Sequence, residues 1–504
     1  MVTSKTSKTK KQSRLNLNTF FNNDNKKTLK NSKNTKQNTK QYSKQHTKQN
    51  IKQYNNELIN KILNMSYGLD NTININLIKY IDSKSKVLNT QGLDNFKLCK
   101  SYGYEILNEY FDKITVSYKL KEELLKSLKI DSAPIVVKSA MEDFTRGMSN
   151  YINTIYKKLP IKISNAFCKL WEVLDVFDDI ITKEVKLSKT SQNKFKVFHI
   201  CEAPGNMIVS SKYFVEKHRK NIKKNNYDWR ANTLNPNNLE NQGVYNKGAI
   251  FGDTYNLIKN NSDKWLWGED NTGDITKVDN IKWYKKYIHN EWLQKEKHDK
   301  LDFICGDGGL STDTNNPLLL QKLDLAQVVT VLACSSVGGS CCIKHFTPYI
   351  KRYTDTYEAS GFFIGFLYLY YLSFESVNLF KPYTSNPDSG EFYVVGRGFK
   401  GIDEKQLENL YVILDNFKLN DAIINKEHIP ETFLIQINNF LEKMSNLNSI
   451  SIEKQNLLLT CYKQKFNLKS KNNVLQCDNF LNKNKSDTIS IPKYREWIKI
   501  FNFE

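Results

Sequence analysis

Two charged residues in this sequence stand where a charge is costly. Lys344 lies inside the apolar run Cys341–Phe346. A lysine in a central strand must be paired, must reach solvent at the strand end, or must do chemistry. Desolvation can lower a lysine's proton affinity enough for it to act as a base. Asp307 stands in Gly306-Asp307-Gly308-Gly309. Glycines on both sides expose its carboxylate to a ligand; the plainer alternative is a tight turn closed by the Asp side chain. A third cluster, Cys201-Glu202-Ala203-Pro204-Gly205, places a glycine where backbone can approach a ligand closely. It does not match GxGxxG, and an ordinary strand-to-helix turn accounts for it equally well. Taken alone, Glu391 reads as a solvated strand-entry carboxylate and Lys169 as a surface lysine on a helix.

These residues need elements to position them, and the pattern between 161 and 400 supplies them. A strand at Lys196–Ile200 runs into the Cys201–Gly205 loop, and a helix follows over Met207–Arg219. A second apolar strand, Leu301–Cys305, ends at the Asp307 loop. A helix over Leu318–Val337 leads to the strand Ser340–His345, and another covers roughly Thr356–Leu372. Strands at Ser376–Phe380 and Glu391–Arg397 close the region around a Pro/Ser/Asn loop. Strands alternating with helices predict an α/β fold, a Rossmann-like doubly wound and mainly parallel sheet. In such sheets ligands bind outside the carboxyl ends of the strands, which is where Gly205, Asp307 and Lys344 all fall.

The rest of the chain reads differently. Residues 1–54 hold 14 Lys/Arg against the single acidic Asp24, so most of the net charge of +21 on 504 residues sits there. Asn34–Gln53 repeats every four residues and would stack like charges on one helix face, so residues 1–54 read as a disordered basic low-complexity tail. Such a tail suits a polyanionic partner and says little about the folded part. Residues 55–160 read as a mostly helical N-terminal region, with examples at Glu57–Met65 and Tyr104–Tyr110, and residues 401–504 as a helical C-terminal extension, with patterned stretches at Glu404–Phe417 and Thr432–Met444. The hydrophobic share of 39% and aromatic share of 12% allow a sizeable core. The nine cysteines form no CxxC pair, which argues against a zinc site or disulfide framework and for a reducing intracellular compartment: nucleus or cytoplasm, or a viral factory or virion. No secretory signal is visible at the N-terminus. The longest apolar run, Gly361–Phe374, falls short of the roughly 20 residues that span a bilayer and is expected to be a buried helix.

Six segments together resemble a known family. They read NAFCKLWEVLDVF (165–177), FHICEAPGN (198–206), YDWRANTLNP (227–236), WGEDNTGDI (267–275), DFICGDGGL (302–310) with GGSCCIKHF (338–346), and FKPYTSNPDSGEFYVV (380–395). In this order they resemble the FtsJ-like ribose methyltransferases, in particular the Adrift-type mRNA cap methyltransferases that include the animal cap 2 enzyme. The resemblance covers nearly half of the chain. It implies a cofactor, S-adenosyl-L-methionine, and a partner, the 5′ end of capped mRNA. It also implies a catalytic set of Lys169, Asp307, Lys344 and Glu391, with Lys344 as proton acceptor. Gly205 matches the family's glycine at the methionine end of the cofactor. Tyr227 or Trp229 falls where an aromatic contacts the cofactor, Asp274 where an acid holds the adenine, and Asp307 close to both cofactor and ribose. No metal is implied.

There are departures. Asn206 and Met207 replace a small residue followed by an aromatic, and the loop after the second strand reads Asp307-Gly308-Gly309-Leu310-Ser311. The segment after 400 is too short for the large C-terminal domain of the animal cap 2 enzyme, so the methylated position stays open between the first and second transcribed nucleotide. Two other readings stay open as well: a 2′-O-methyltransferase of internal ribosomal or other RNA positions, and a non-catalytic RNA-binding subunit on the same fold. The Asn/Lys-rich composition points to an AT-rich source such as a large DNA virus.

Overall fold

The computed structural model describes residues 72–78, 90–128, 148–156, 162–182, 194–218, 227–242, 253, 255–294, 300–309, 316–348, 360–467 and 490–503. The tail, the helix expected at Glu57–Met65 and the second half of the Asp307 loop lie outside these residues.

The central strands form because their residues are apolar on both faces. β3 (Phe195–Ile200) and β6 (Phe303–Gly306) are buried at every position, as parallel strands covered by helices on both sides must be. β3 pairs in parallel with β4 (Tyr227–Asn232) on one side and with β6 on the other. β5 (Trp265–Leu266) extends the sheet beyond β4, and β7 (Ser340–Phe346) beyond β6, again in parallel. The chain thus leaves β3 toward one edge and returns to the other, so the β3/β6 boundary is the switch point of the sheet.

The sequence predicted a mainly parallel sheet, and five strands obey. Of the remaining three, two reverse. β9 (Glu391–Phe399) runs antiparallel between β7 and β8 (Phe374–Lys381), and β1 (Ile73–Asn76) adds an antiparallel edge beside β8. β8 itself points the same way as the five, and only β9 and β1 reverse. The reason is local. The nine residues between β8 and β9 allow only a hairpin return, whereas a parallel crossover needs a dozen or more. The full order is β1-β8-β9-β7-β6-β3-β4-β5.

Helices cover both faces. α1 (Asn108–Leu128) precedes α2 (Asn165–Val176) and α3 (Asn206–His218); α4 (Val278–Lys286), α5 (Pro317–Cys334) and α6 (Ser360–Ser373) follow. α7 (Glu404–Asn416), α8 (Glu431–Asn467) and α9 (Ser490–Ile500) complete the chain. α6 is the apolar run expected to be a buried helix, and it is buried from Ser360 to Tyr370. α5 is apolar enough by length and composition to cross a membrane, but 78% of it is buried here between sheet and helices.

Two apolar layers result. Phe198, Ile304, Ile343 and Val394 point to the layer under α5 and α6, and Val197, Phe303, Cys342 and Val395 to the layer holding α2, α3 and α9. The strand period of two decides which residue goes where.

The flanking regions add short strands to the helices that the sequence reading expects. Residues 55–160 were expected to be mostly helical, yet they supply β1 and β2 (Phe96–Cys99) beside α1. The C-terminal extension supplies β10 (Ala422–Ile424), which pairs antiparallel with β2. Short alternating segments such as Ile73–Asn76 gain strand geometry only from a partner far along the chain, which local pattern does not reveal.

Candidate active site

Alternation along β7 and β9 builds the site. Lys344 shares the face of Cys342, and Tyr393 and Glu391 share the face of Val395, so all three point toward the α2 layer. Lys344 and Tyr393 are cross-strand partners, and Glu391 lies opposite Phe346. Asp307 follows the last residue of β6 directly. α2 starts at an N-cap where Ser164 accepts from the Ala166 amide, and it carries Lys169 onto this face.

Four charges from four elements therefore meet. Lys344 Nζ is 2.8 Å from Asp307 Oδ1, and Lys169 Nζ is 2.6 Å from Glu391 Oε1. Their side chains are 14% exposed at Lys169, 10% at Glu391, 11% at Lys344 and 24% at Asp307. Asp307 is thus the most open member, and the site faces outward through it. Tyr393 donates its hydroxyl to Asp307 Oδ1 at 3.2 Å.

The pairs also shape each other's protonation. Burial by itself would push the Glu391 carboxyl up, but Lys169, Lys344 and Lys381 together hold it down at about 2. Burial works against a charged Lys169, and Glu391 and Asp307 more than offset it, so its affinity for a proton is raised. Both partners of this pair are therefore ionised at neutral pH.

Behind Glu391 stands a lysine that sequence reasoning did not single out. Lys381, the last residue of β8, is almost fully buried. Its ammonium donates to Ser385 Oγ at 3.0 Å, Ser389 O at 2.9 Å and Glu391 O at 2.8 Å. Burial lowers its pKa to about 7, with Glu391 opposing the shift and Lys169 adding to it. Ser385 in turn donates to Glu391 Oε1 at 2.7 Å. The one available signal was a lysine directly before Pro382, following the apolar pair Leu379-Phe380.

Next to the four charges lies the loop leaving β3. Gly205 has φ +108°, and a Cβ there would stand 2.2 Å from Leu257 Cδ1, so this position admits only glycine. Gly308 and Gly309 are crowded to lesser degrees: a Cβ on the first would meet the end of the Gln327 side chain, Oε1, at 2.2 Å, and on the second Lys344 Nζ at 3.2 Å. Glu202 is buried and caps α3 by accepting from the Met207 amide at 2.7 Å and the Ile208 amide at 3.3 Å. Its Oε2 has no hydrogen bond, and burial together with Asp307 pushes its carboxyl well up. Cys201, at the end of β3, feels Asp274, Lys344 and Asp307 at once; burial first, then these charges, set its thiol at about 12. Asp274, Lys344 and Asp307 therefore all lie near the same loop. Asp274 Oδ1 accepts from the Thr276 amide at 2.8 Å and the Thr276 hydroxyl at 2.7 Å.

The two aromatic candidates fall elsewhere. Tyr227 opens β4 and its hydroxyl is used inside the core, 3.0 Å from His199 Nε2 and 2.5 Å from Ser211 Oγ. Trp229 is buried in mid-strand against Trp265. The structure does not bring either to the carboxyl end of β4, where Asn232 and Thr233 stand instead. Asn232 Nδ2 donates to Gly273 O at 2.9 Å and to Tyr284 Oη at 2.7 Å, locking the loop that carries Asp274. The sequence placed an aromatic by motif position; strand register, which motif position does not contain, puts both rings too far back.

Glycine-only backbone at 205, crowded glycines at 308 and 309, a carboxyl oxygen without a hydrogen bond at Glu202 and an acid at 274 fit a nucleoside-bearing cofactor laid across the carboxyl ends of β3, β4 and β6. Residues 163–399 match the FtsJ-like methyltransferase family. This chain carries an FtsJ-like methyltransferase domain. Among its relatives is an uncharacterized protein of Acanthamoeba polyphaga mimivirus, 31% identical over 361 residues, covering 68% of this chain and 39% of that one. Cap-specific mRNA (nucleoside-2'-O-)-methyltransferase 2 of Pongo abelii is 28% identical over 302 residues, 58% of this chain and 35% of the relative. Cap-specific mRNA (nucleoside-2'-O-)-methyltransferase 1 of Danio rerio is 35% identical over 156 residues, 30% of this chain and 17% of the relative. The aligned parts span well under half the length of each of these relatives. The FtsJ-like domain, bounded in this way, contains all four charged residues and lacks α1, α7, α8 and α9.

Proposed function

We propose that this protein is an S-adenosylmethionine-dependent RNA 2′-O-methyltransferase acting on the first or second transcribed nucleotide of capped mRNA. The observation that carries the reading is the pair of ion pairs, Lys344–Asp307 and Lys169–Glu391, at the carboxyl ends of the FtsJ-like sheet. The relatives named as cap-specific mRNA methyltransferases direct it to capped mRNA.

A ribose 2′-hydroxyl is a poor nucleophile at neutral pH. When bound, S-adenosylmethionine supplies a methyl group already activated by its sulfonium. The residues of this chain then have three tasks: to hold the hydroxyl oxygen in line, to accept its proton, and to keep water out. In this proposal Lys344 enters as the neutral amine, takes the proton at Nζ as the oxygen–methyl bond forms, and holds the oxygen through the ammonium so made. Asp307 fixes the Lys344 ammonium and stands nearest the open side, where ribose enters. Lys169 and Glu391 form the buried wall behind them. Alignment of this kind supplies roughly 7–11 kcal/mol in favourable cases. Gly205 and Asp274 would hold the methionine and adenine ends of the cofactor. The setting is an intracellular compartment in which capped transcripts are made or handled.

The test is transfer of labelled methyl to capped and uncapped RNAs that differ in their first and second nucleotides, followed by nuclease mapping. Label confined to a cap-adjacent ribose supports the proposal. Label at internal positions of uncapped RNA, or none on any RNA from folded protein, overturns it.

A further inference from the structure

Glu172 lies one helical turn from Lys169 on α2, and it is fully buried. Its carboxylate accepts four hydrogen bonds. The Tyr383 amide donates to Oε2 at 2.6 Å; the Thr384 amide, the Thr384 hydroxyl and the Trp497 indole donate to Oε1 at 3.0, 2.6 and 2.9 Å. Tyr383 and Thr384 open the turn between β8 and β9, and the next residue, Ser385, donates to Glu391 Oε1. That same oxygen receives Lys169. A closed circuit results: Lys169 to Glu391, Glu391 to Ser385, one peptide back to Thr384, Thr384 to Glu172, and one helical turn back to Lys169.

Trp497 enters the circuit from outside the FtsJ-like domain, being part of α9. The attachment is reciprocal. Trp497 of α9 donates its indole to Glu172 of α2, and Trp171 of α2 donates its indole to Phe501 O at 2.7 Å. Both tryptophan side chains are fully buried. A carboxylate is the only side chain that accepts from four donors and offers none in return. Leaving those donors unpaired in a dry interior is costly, so the register of α2 against the turn is set by Glu172.

We propose that Glu172 is a positioning residue of the active site, through which the C-terminal helix holds Lys169 and Glu391 in their ion pair. It touches no reacting atom. The inference rests on the methyltransferase reading for its meaning, and its test does not.

The test measures how fast an amine-reactive acylating reagent modifies individual lysines, read by mass spectrometry, in full-length wild type, Glu172→Gln and Trp497→Phe. Lys196, buried on β3 beneath Trp292, reports general loosening. The expected result is Lys169 labelled at least fivefold faster in Glu172→Gln and about twofold faster in Trp497→Phe, with Lys196 unchanged in both. Trp497→Phe keeps the ring and loses one donor, so it serves alone should Glu172→Gln fail to fold. Lys169 labelling unchanged, or Lys196 accelerated to the same degree, overturns the inference. On capped RNA the same variants are expected to lower kcat about tenfold and twofold with KM kept. Wild type inactive on every RNA would count against the proposed function and leave the labelling result to decide this inference.

Discussion

Lys344 and His345 are neighbours on one strand and serve opposite layers: Lys344 Nζ lies 2.8 Å from Asp307 Oδ1, and His345 Nδ1 lies 3.0 Å from Asp324 Oδ1. The histidine also meets the Tyr370 hydroxyl at 3.1 Å and is sealed in the core. The lysine has one face toward the open site. Replacing Lys344 by Ala is therefore expected to lower methyl transfer by about a thousandfold, within the range for removing a proton acceptor or an oxyanion donor. Cofactor affinity by calorimetry should stay within about threefold. Robust transfer by this variant on capped RNA would remove Lys344 from the mechanism.

Asp274 keeps one carboxylate oxygen on Thr276, and in the proposed function the other binds the cofactor. Asp274→Ala is expected to weaken cofactor binding about tenfold, in line with loss of a hydrogen bond to a charged group. Thermal unfolding should be followed alongside, because Thr276 loses its partner too. Unchanged affinity in a folded variant would reject this assignment.

Tyr227 makes the opposite case. Its hydroxyl bonds to His199 and Ser211 inside the core. Tyr227→Phe should therefore cost stability, on the order of 1 kcal/mol, and leave cofactor affinity unaltered. A drop in affinity without a drop in stability would restore the motif-based placement against the strand register.

Glu391 predicts a pH dependence. Burial would raise its pKa, but three lysines hold it near 2, below the ordinary value of 4.5. The native state thus binds fewer protons than the unfolded chain between these values. The contribution of Glu391 is fully present above about 4.5 and is lost as pH falls toward about 2. Glu391→Gln should cost about 3 kcal/mol at neutral pH, since it leaves Lys169 buried without its partner. The gap between wild type and variant should narrow in acid. Denaturant unfolding at several pH values measures it, and a gap independent of pH would contradict the assignment.

How far the sequence reached follows from where each signal lives. Asp307 and Lys344 are legible because a charge among glycines, or inside an apolar run, violates local expectation. Lys169 and Glu391 violate nothing locally, and only their order in the family pattern marked them. Lys381 and Glu172 were inside quoted motifs and passed as ordinary, because their roles depend on partners such as Ser385 and Trp497 that fold back onto them. The parallel core was readable from apolar runs joined by helices. The reversed strands were not, because direction depends on hairpin length, and β1 and β2 were hidden in a region whose local composition favours helix.

The pairing of β1 with β8 has a practical consequence. β8 is eight residues long and mostly buried, and β1 occupies its outer hydrogen-bonding edge from Ile73 to Asn76. A fragment cut to residues 163–399 would keep β8 and discard its cover, leaving a row of free amides and carbonyls ready to template strands from other molecules. The stretch that sequence comparison recognises is thus shorter than the stretch that covers the edge of β8. Fragments intended for crystallisation or binding assays should begin before Ile73 and keep Trp497.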